Sequence, residues 1–171
     1  MKQNTSDLAK DYAIKCHRNC NQMYHDKPYE FHLEMAVSIG EDFQWMIPIE
    51  DLDDVIAGIW CHDLIEDVNV TYNDVLRVTN ETVAEYAYAL TNEKGRNRSE
   101  RANDKYYEGI KKYKHSTFIK LCDRIANVKY SKDNNEKMFQ MYKNEQEEFK
   151  EKLYDARFDG MWLLLKLLFE N

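Results

Sequence analysis

Residues 50–67 read EDLDDVIAGIWCHDLIED. Leu52, Val55, Ile56 and Ile59 recur at the i, i+3, i+4, i+7 spacing of a buried helical face. Continuing that face by one turn reaches His62, Asp63, Glu66 and Asp67. The stripe predicts one helix over roughly residues 50–67 whose apolar face turns ionisable at its end. A charge left unpaired in a core is costly, so such groups shift their pKa or acquire a counter-charge, and one bound cation serves several carboxylates together. The same pattern also suits a helix end emerging into water with a solvated acidic patch. This segment alone does not separate the two readings.

A second segment, FIKLCDRIANV at residues 118–128, carries an apolar face of Phe118, Ile119, Cys122 and Ile125, with Asp123 and Asn127 beside it at i, i+4. Arg124 is expected to pair with an acidic neighbour in a structural role. Upstream, in KPYEFHLEMAV at residues 27–37, Phe31, Met35 and Ile39 predict a helical face, with His32, Met35 and Ala36 as the neighbouring row. Taken alone, His32 reads as a core or surface histidine. Taken together, the two imidazoles His32 and His62 and the two carboxylates Asp63 and Asp123 come from three helices and suit a divalent ion such as Mn²⁺, Fe²⁺, Zn²⁺ or Co²⁺. Glu66 and Asp67, one turn beyond, are candidates to take or donate a proton.

The rest of the chain supports an all-α reading. Two prolines and five glycines in 171 residues leave few breaks, and no alternating β-branched run is present. Apolar spacing predicts helices near residues 7–23, 29–39, 50–67, 72–78, 81–91, 100–113, 116–131, 136–157 and 161–170, with ends uncertain by ~2–4 residues. Asn80 is the expected N-cap before Glu81, and Gly160 the expected break between the last two helices. Residues 91–104, TNEKGRNRSERAND, form a polar stretch expected to be a mobile loop; its Lys94, Arg96, Arg98 and Arg101 read as solvated charges or as collectors of phosphate.

A net charge of −7 argues against a duplex nucleic-acid binder but leaves room for a small phosphorylated ligand. The four cysteines show no C-x-x-C pairing and the opening MKQNTSDLAK does not resemble a signal peptide, so reduced thiols and a cytoplasmic location are expected. The longest apolar run, residues 161–169, is interrupted by Lys166 and falls short of the ~20 residues of a membrane span.

The order His32, then His62-Asp63, then Asp123 resembles the metal-binding pattern of HD-superfamily phosphohydrolases. The strings HDLIED, KLCDRIANV and KPYEFH, with TYNDV and the closing LLKLLF, resemble the hydrolase domain of the Rel/Spo (p)ppGpp synthetase/hydrolases over roughly residues 12–170. The resemblance implies a compact single-domain helical bundle of the HD type over residues 1–171, similar to the small stand-alone hydrolases. It implies Mn²⁺ on His32, His62, Asp63 and Asp123, water activation by Glu66 and Asp67, and nucleotide contact by Asn127. The implied reaction removes the 3′-pyrophosphate from (p)ppGpp. Lys27 and Tyr29 are pocket candidates, one for phosphate and one for stacking on a base. The arginine that the family places nine residues before its first histidine is Met23 here, and the proline after that histidine is Leu33. Another nucleotide, such as a deoxynucleoside monophosphate or an NADPH-like molecule, therefore remains open, as does a non-catalytic nucleotide-binding module.

Overall fold

In the computed structural model, which describes residues 3–170, the elements run α1 (Thr5–Asn19), β1 (Met23–Tyr24), β2 (Lys27–Pro28), α2 (Glu30–Asp42), α3 (Ile49–Cys61), α4 (Leu64–Asp67), α5 (Tyr72–Val78), α6 (Glu81–Leu90), α7 (Arg98–Arg101), α8 (Asp104–Lys111), α9 (Ser116–Asn134), α10 (Glu136–Leu153) and α11 (Asp159–Glu170). Residues 1, 2 and 171, the ends of the expected 1–171 domain, lie outside the described residues. The molecule is all-α apart from one short hairpin. Among the described residues no helix is long and apolar enough to cross a membrane.

Helix α9 forms the axis. Twelve of its 19 residues are buried, including Phe118, Ile119, Leu121, Cys122 and Ile125, because α2, α3, α6, α8, α10 and α11 all pack against it. Asparagine starts many of the helices: Asn4, Asn80, Asn97, Asn103 and Asn135 each accept a hydrogen bond from a backbone N–H in the first turn. Each such cap is worth about 1 kcal/mol. Thr71 and Asp74 form a reciprocal capping box at α5. All four cysteines are free, and Cys61 and Cys122 are packing residues in the core.

Several predicted boundaries move, for identifiable reasons. The first helix ends at Asn19 and does not reach residue 23, because Asn21 takes a left-handed conformation at φ 50° while Gln22 N–H donates to His17 O and Asn21 N–H to Arg18 O. That pair of bonds closes a helix in the Schellman manner. The chain then forms the hairpin β1–β2, turned through His25 at φ 56°, a feature too short to leave a periodic signal. The helix expected over 50–67 breaks after Cys61 and resumes as the single turn α4. The segment expected as one helix over 100–113 divides into α7 and α8, and α7 gives residues 91–104 a helical turn where only loop was expected. The break between the last two helices spans residues 154–158, with a 3-10 turn at Ala156–Phe158, and Gly160 lies inside α11, where a Cβ would stand 2.8 Å from Met46 Cε.

On α2 the buried residues are Glu30, His32, Leu33, Ala36, Val37, Ile39 and Gly40; of the expected face Ile39 is buried, whereas Phe31 and Met35 are only half-buried. Close approach also explains Gly58. A Cβ there would lie 2.7 Å from Ile119 Cδ1 and 2.9 Å from Tyr86 Cδ2, so α3 meets α6 and α9 across a residue without a side chain. Gly58→Ala is expected to lower stability by ~1–2 kcal/mol, since overpacking exceeds the gain in helix propensity. Thermal unfolding should show a drop of a few degrees; an unchanged or higher midpoint would contradict this packing argument.

Candidate functional site

Three elements deliver the ionisable groups to one point. Helix α2 brings His32, α9 brings Asp123, and the break between α3 and α4 brings His62 and Asp63. The break has a local cause. His62 Nδ1 lies 2.7 Å from Ile59 O, and a carbonyl only accepts, so Nδ1–H donates and caps the end of α3. In the neutral ring this leaves the lone pair on Nε2.

That Nε2 lies 2.8 Å from Asp63 Oδ2, 3.3 Å from His32 Nε2 and 3.7 Å from Asp123 Oδ1. His32 Nε2 lies 3.3 Å from Asp123 Oδ1 and 3.7 Å from Asp63 Oδ2. Donors held ~2.1 Å from a shared ion stand roughly 3.0–3.4 Å apart in tetrahedral or adjacent octahedral positions. The observed separations bracket that range, and two imidazole nitrogens with two carboxylate oxygens are donors that a divalent cation takes. The residues therefore fit such an ion. His32 and His62 are 1% and 2% exposed, so the carboxylates meet the ring nitrogens largely out of water.

The carboxylates are held by neighbours. Tyr29 donates to Asp63 Oδ2 at 2.5 Å. Lys120 Nζ donates to Asp123 Oδ2 at 2.8 Å, and Asn127 Nδ2 to Asp123 Oδ1 at 2.6 Å. Tyr24 donates to Asn127 Oδ1 at 2.9 Å and lays its ring on His32 with centroids 4.9 Å apart. Burial alone would raise both carboxyls; His62 beside Asp63 brings that group down to about 2, and Lys120 with the histidines holds Asp123 well below the usual carboxylate range.

Glu66 and Asp67 lie on α4 and line the same cleft. Glu66 accepts from the backbone N–H of Asn92 at 3.1 Å and from its Nδ2 at 2.9 Å, which ties α4 to the start of the 91–104 segment. Asp67 opens onto the cleft. The concave wall around it, with the Asp63 and Glu66 carboxylates, pushes its carboxyl up to about 6. A group so placed is poised for proton exchange near neutral pH.

Two expected pocket residues play other parts. Tyr29 does not offer a face to a base: it is 8% exposed, and its ring stacks on the buried His17 with centroids 4.3 Å apart. Lys27 is not among the cleft-lining residues; its Nζ sits over the Phe31 ring at 5.3 Å. Tyr29→Phe keeps the ring and removes the bond that orients Asp63. Loss of such an outer contact typically weakens metal binding ~10–100-fold, which a competition titration against a metal indicator would measure. An affinity within twofold of the parent would show that the bond does not orient the site.

Residues that sequence reasoning left without a functional part also line the cleft, Tyr24, Asn92, Lys120, Arg124 and Tyr142, and so does Arg98 of the stretch read as solvated charges or phosphate collectors. Lys120 and Arg124 flank Asp123 in the quoted string, and Lys120, three residues earlier on the helix, was legible by spacing. Nothing local set Arg98 apart from Lys94, Arg96 and Arg101. Of the other basic residues in that stretch, Arg96 pairs with Glu100 and Lys94 is exposed.

The sequence matches no protein-family model and no curated relative. In structure it is similar to a metazoan ortholog of SpoT that hydrolyzes ppGpp and plays a role in starvation responses, with a TM-score of 0.77 and 20% identity over 99% of this chain and 96% of that one. The chain shares that protein's fold, which in this chain is all-α. The fold similarity spans nearly the full length of both chains, so the helices that carry His32, His62, Asp63 and Asp123 are part of a shared architecture.

Proposed function

We propose that this protein is a metal-dependent nucleotide phosphohydrolase that removes the 3′-pyrophosphate of (p)ppGpp. The observation that carries the reading is the convergence of His32, His62, Asp63 and Asp123 at donor spacings of 2.8–3.7 Å beside two further carboxylates. The structural neighbour that hydrolyzes ppGpp supports it through the shared fold. The four residues would hold one divalent ion, with Mn²⁺ as the expected metal. Such an ion, when bound, supplies a Lewis acid that polarises a phosphoryl oxygen and acidifies water.

The chain's own groups do the rest. Tyr29, Lys120 and Asn127 fix the two aspartates so that their donor atoms are in place before substrate arrives. Glu66 and Asp67 stand as the general base and acid. As the oxygen of water bonds to phosphorus, one of them takes its proton; as the bond from phosphorus to the ribose 3′ oxygen breaks, that oxygen is reprotonated and pyrophosphate departs. Asn127 lines the cleft beside Asp123 and is our candidate for contact with the nucleotide. The protein acts on a small nucleotide and not on duplex nucleic acid, in keeping with its charge of −7.

One feature favours a different nucleotide in the same chemistry. Met23, where the resembling family carries arginine, stands 51% exposed on β1 and offers no hydrogen bond to a guanine. Purified protein incubated with Mn²⁺, Fe²⁺, Zn²⁺ or Co²⁺ and with ppGpp, NADPH or deoxynucleoside monophosphates decides the matter. Release of pyrophosphate from ppGpp supports the proposal. Turnover of another member of the panel replaces the substrate, and no turnover with any metal overturns the enzymatic reading in favour of a binding module.

A further inference from the structure

The cleft at the metal centre has a volume of about 180 Å³, and a second cavity of about 230 Å³ adjoins it. Sites for drug-sized ligands fall at roughly 300–1,000 Å³, so only the joined space holds a nucleotide with several phosphates. Glu66, Asn92, Arg98, Lys120 and Arg124 line both cavities and so form the boundary between them. Lys120 is committed to Asp123, which leaves the two guanidiniums as the cations of that boundary.

Both guanidiniums converge on one carboxylate. Arg98 donates to Glu145 from Nε at 2.6 Å and from Nη2 at 3.2 Å, while Arg124 donates from Nη1 at 3.1 Å. Arg124 is 5% exposed and clamped between the rings of Phe149 at 4.2 Å and Tyr142 at 4.8 Å, so its position is set by packing. Its bond to Glu145 is its one hydrogen bond among the described residues, out of five N–H donors. Arg98 differs: it sits on the short helix α7 with its side chain 45% exposed and its guanidinium 5.5 Å from the Tyr142 ring. The pair thus consists of one fixed guanidinium with unused donors and one surface guanidinium able to adjust, bridged by a single charge.

We propose that Arg98 and Arg124 form a second anion subsite for a phosphate group of the substrate other than the one cleaved, and that Glu145 holds this subsite until the phosphate displaces it. The inference rests on the phosphohydrolase reading for the identity of the ligand, a nucleotide phosphorylated at two positions, but not for the existence of the subsite. Guanidiniums grip phosphate oxygens in bidentate fashion, and a phosphate, with more acceptor oxygens, satisfies more of their donors than a lone carboxylate. Glu145 is 30% exposed, which gives it a route to water once displaced.

The test uses inorganic pyrophosphate as probe, titrated calorimetrically into the full-length protein without added metal at constant ionic strength, so that turnover is not required. Glu148→Gln removes an equal charge from the wall of the second cavity without freeing a guanidinium and sets the baseline. Glu145→Gln is expected to tighten pyrophosphate binding at least about fivefold beyond that baseline, and Arg98→Ala to weaken it about tenfold, with partial recovery in Arg98→Lys. Equal effects of Glu145→Gln and Glu148→Gln would overturn the displacement, and an Arg98→Ala affinity within twofold of the parent would overturn the subsite. If pyrophosphate binding responds as expected while no nucleotide is hydrolysed with any metal, the subsite stands and the hydrolase reading falls.

Discussion

Asp63→Ala is expected to empty the metal centre and to lower nucleotide hydrolysis by at least about a thousandfold. The size follows from the several kcal/mol that a catalytic metal contributes, at 1.36 kcal/mol per tenfold in rate. Asp63 supplies the carboxylate oxygen 2.8 Å from His62 Nε2 and receives the Tyr29 hydroxyl, so alanine removes a donor and also leaves a buried phenol without its acceptor. The residue lies at the break between α3 and α4, outside the packed stripe, and its side chain is 20% exposed. The helical circular dichroism should therefore survive. Metal content by mass spectrometry and turnover on the same preparation check the prediction. Stoichiometric metal with activity within tenfold of the parent would remove Asp63 from the ligand set.

Glu66→Ala is expected to lower kcat by ~10²–10⁴ while the bound metal stays at parent level, because general acid–base groups contribute at that scale without holding the ion. The structure adds a second possible origin for any loss. Glu66 also latches the backbone and side chain of Asn92, so alanine frees the segment that carries Arg98. Asn92→Ala breaks the side-chain half of the latch and spares the carboxylate. A large loss in Glu66→Ala with a small one in Asn92→Ala assigns the effect to proton transfer; equal losses assign it to the latch. Metal loss in Glu66→Ala equal to that in Asp63→Ala would erase the division of labour between the two residues.

The apolar stripe Leu52, Val55, Ile56 and Ile59 led directly to His62 and Asp63, and the matching stripe on the 118–128 segment led to Asp123. Both are legible because a helix repeats every 3.6 residues, so a polar group interrupting a buried face is visible in one dimension. The same logic misplaced the helix end. A side chain that caps its own helix, as His62 does at Ile59 O, leaves no periodic trace. Tyr29 shows a comparable limit: its aromatic ring next to a candidate ligand suggested stacking on a base, yet both its ring face and its hydroxyl are occupied within the protein.

What the sequence determined by itself is the all-α character, the helices that carry the ionisable groups and the residue types that collect at their ends. These are local matters of periodicity and capping. Only the tertiary structure decided that Tyr29 is spent on Asp63, that Tyr24 holds Asn127, and that Arg98 meets Arg124 across Glu145. Arg98 and Glu145 are 47 residues apart on elements that carry no periodic relation to one another. Such a pairing depends on how α7 and α10 pack, and packing is a property of the whole chain that no single stretch encodes.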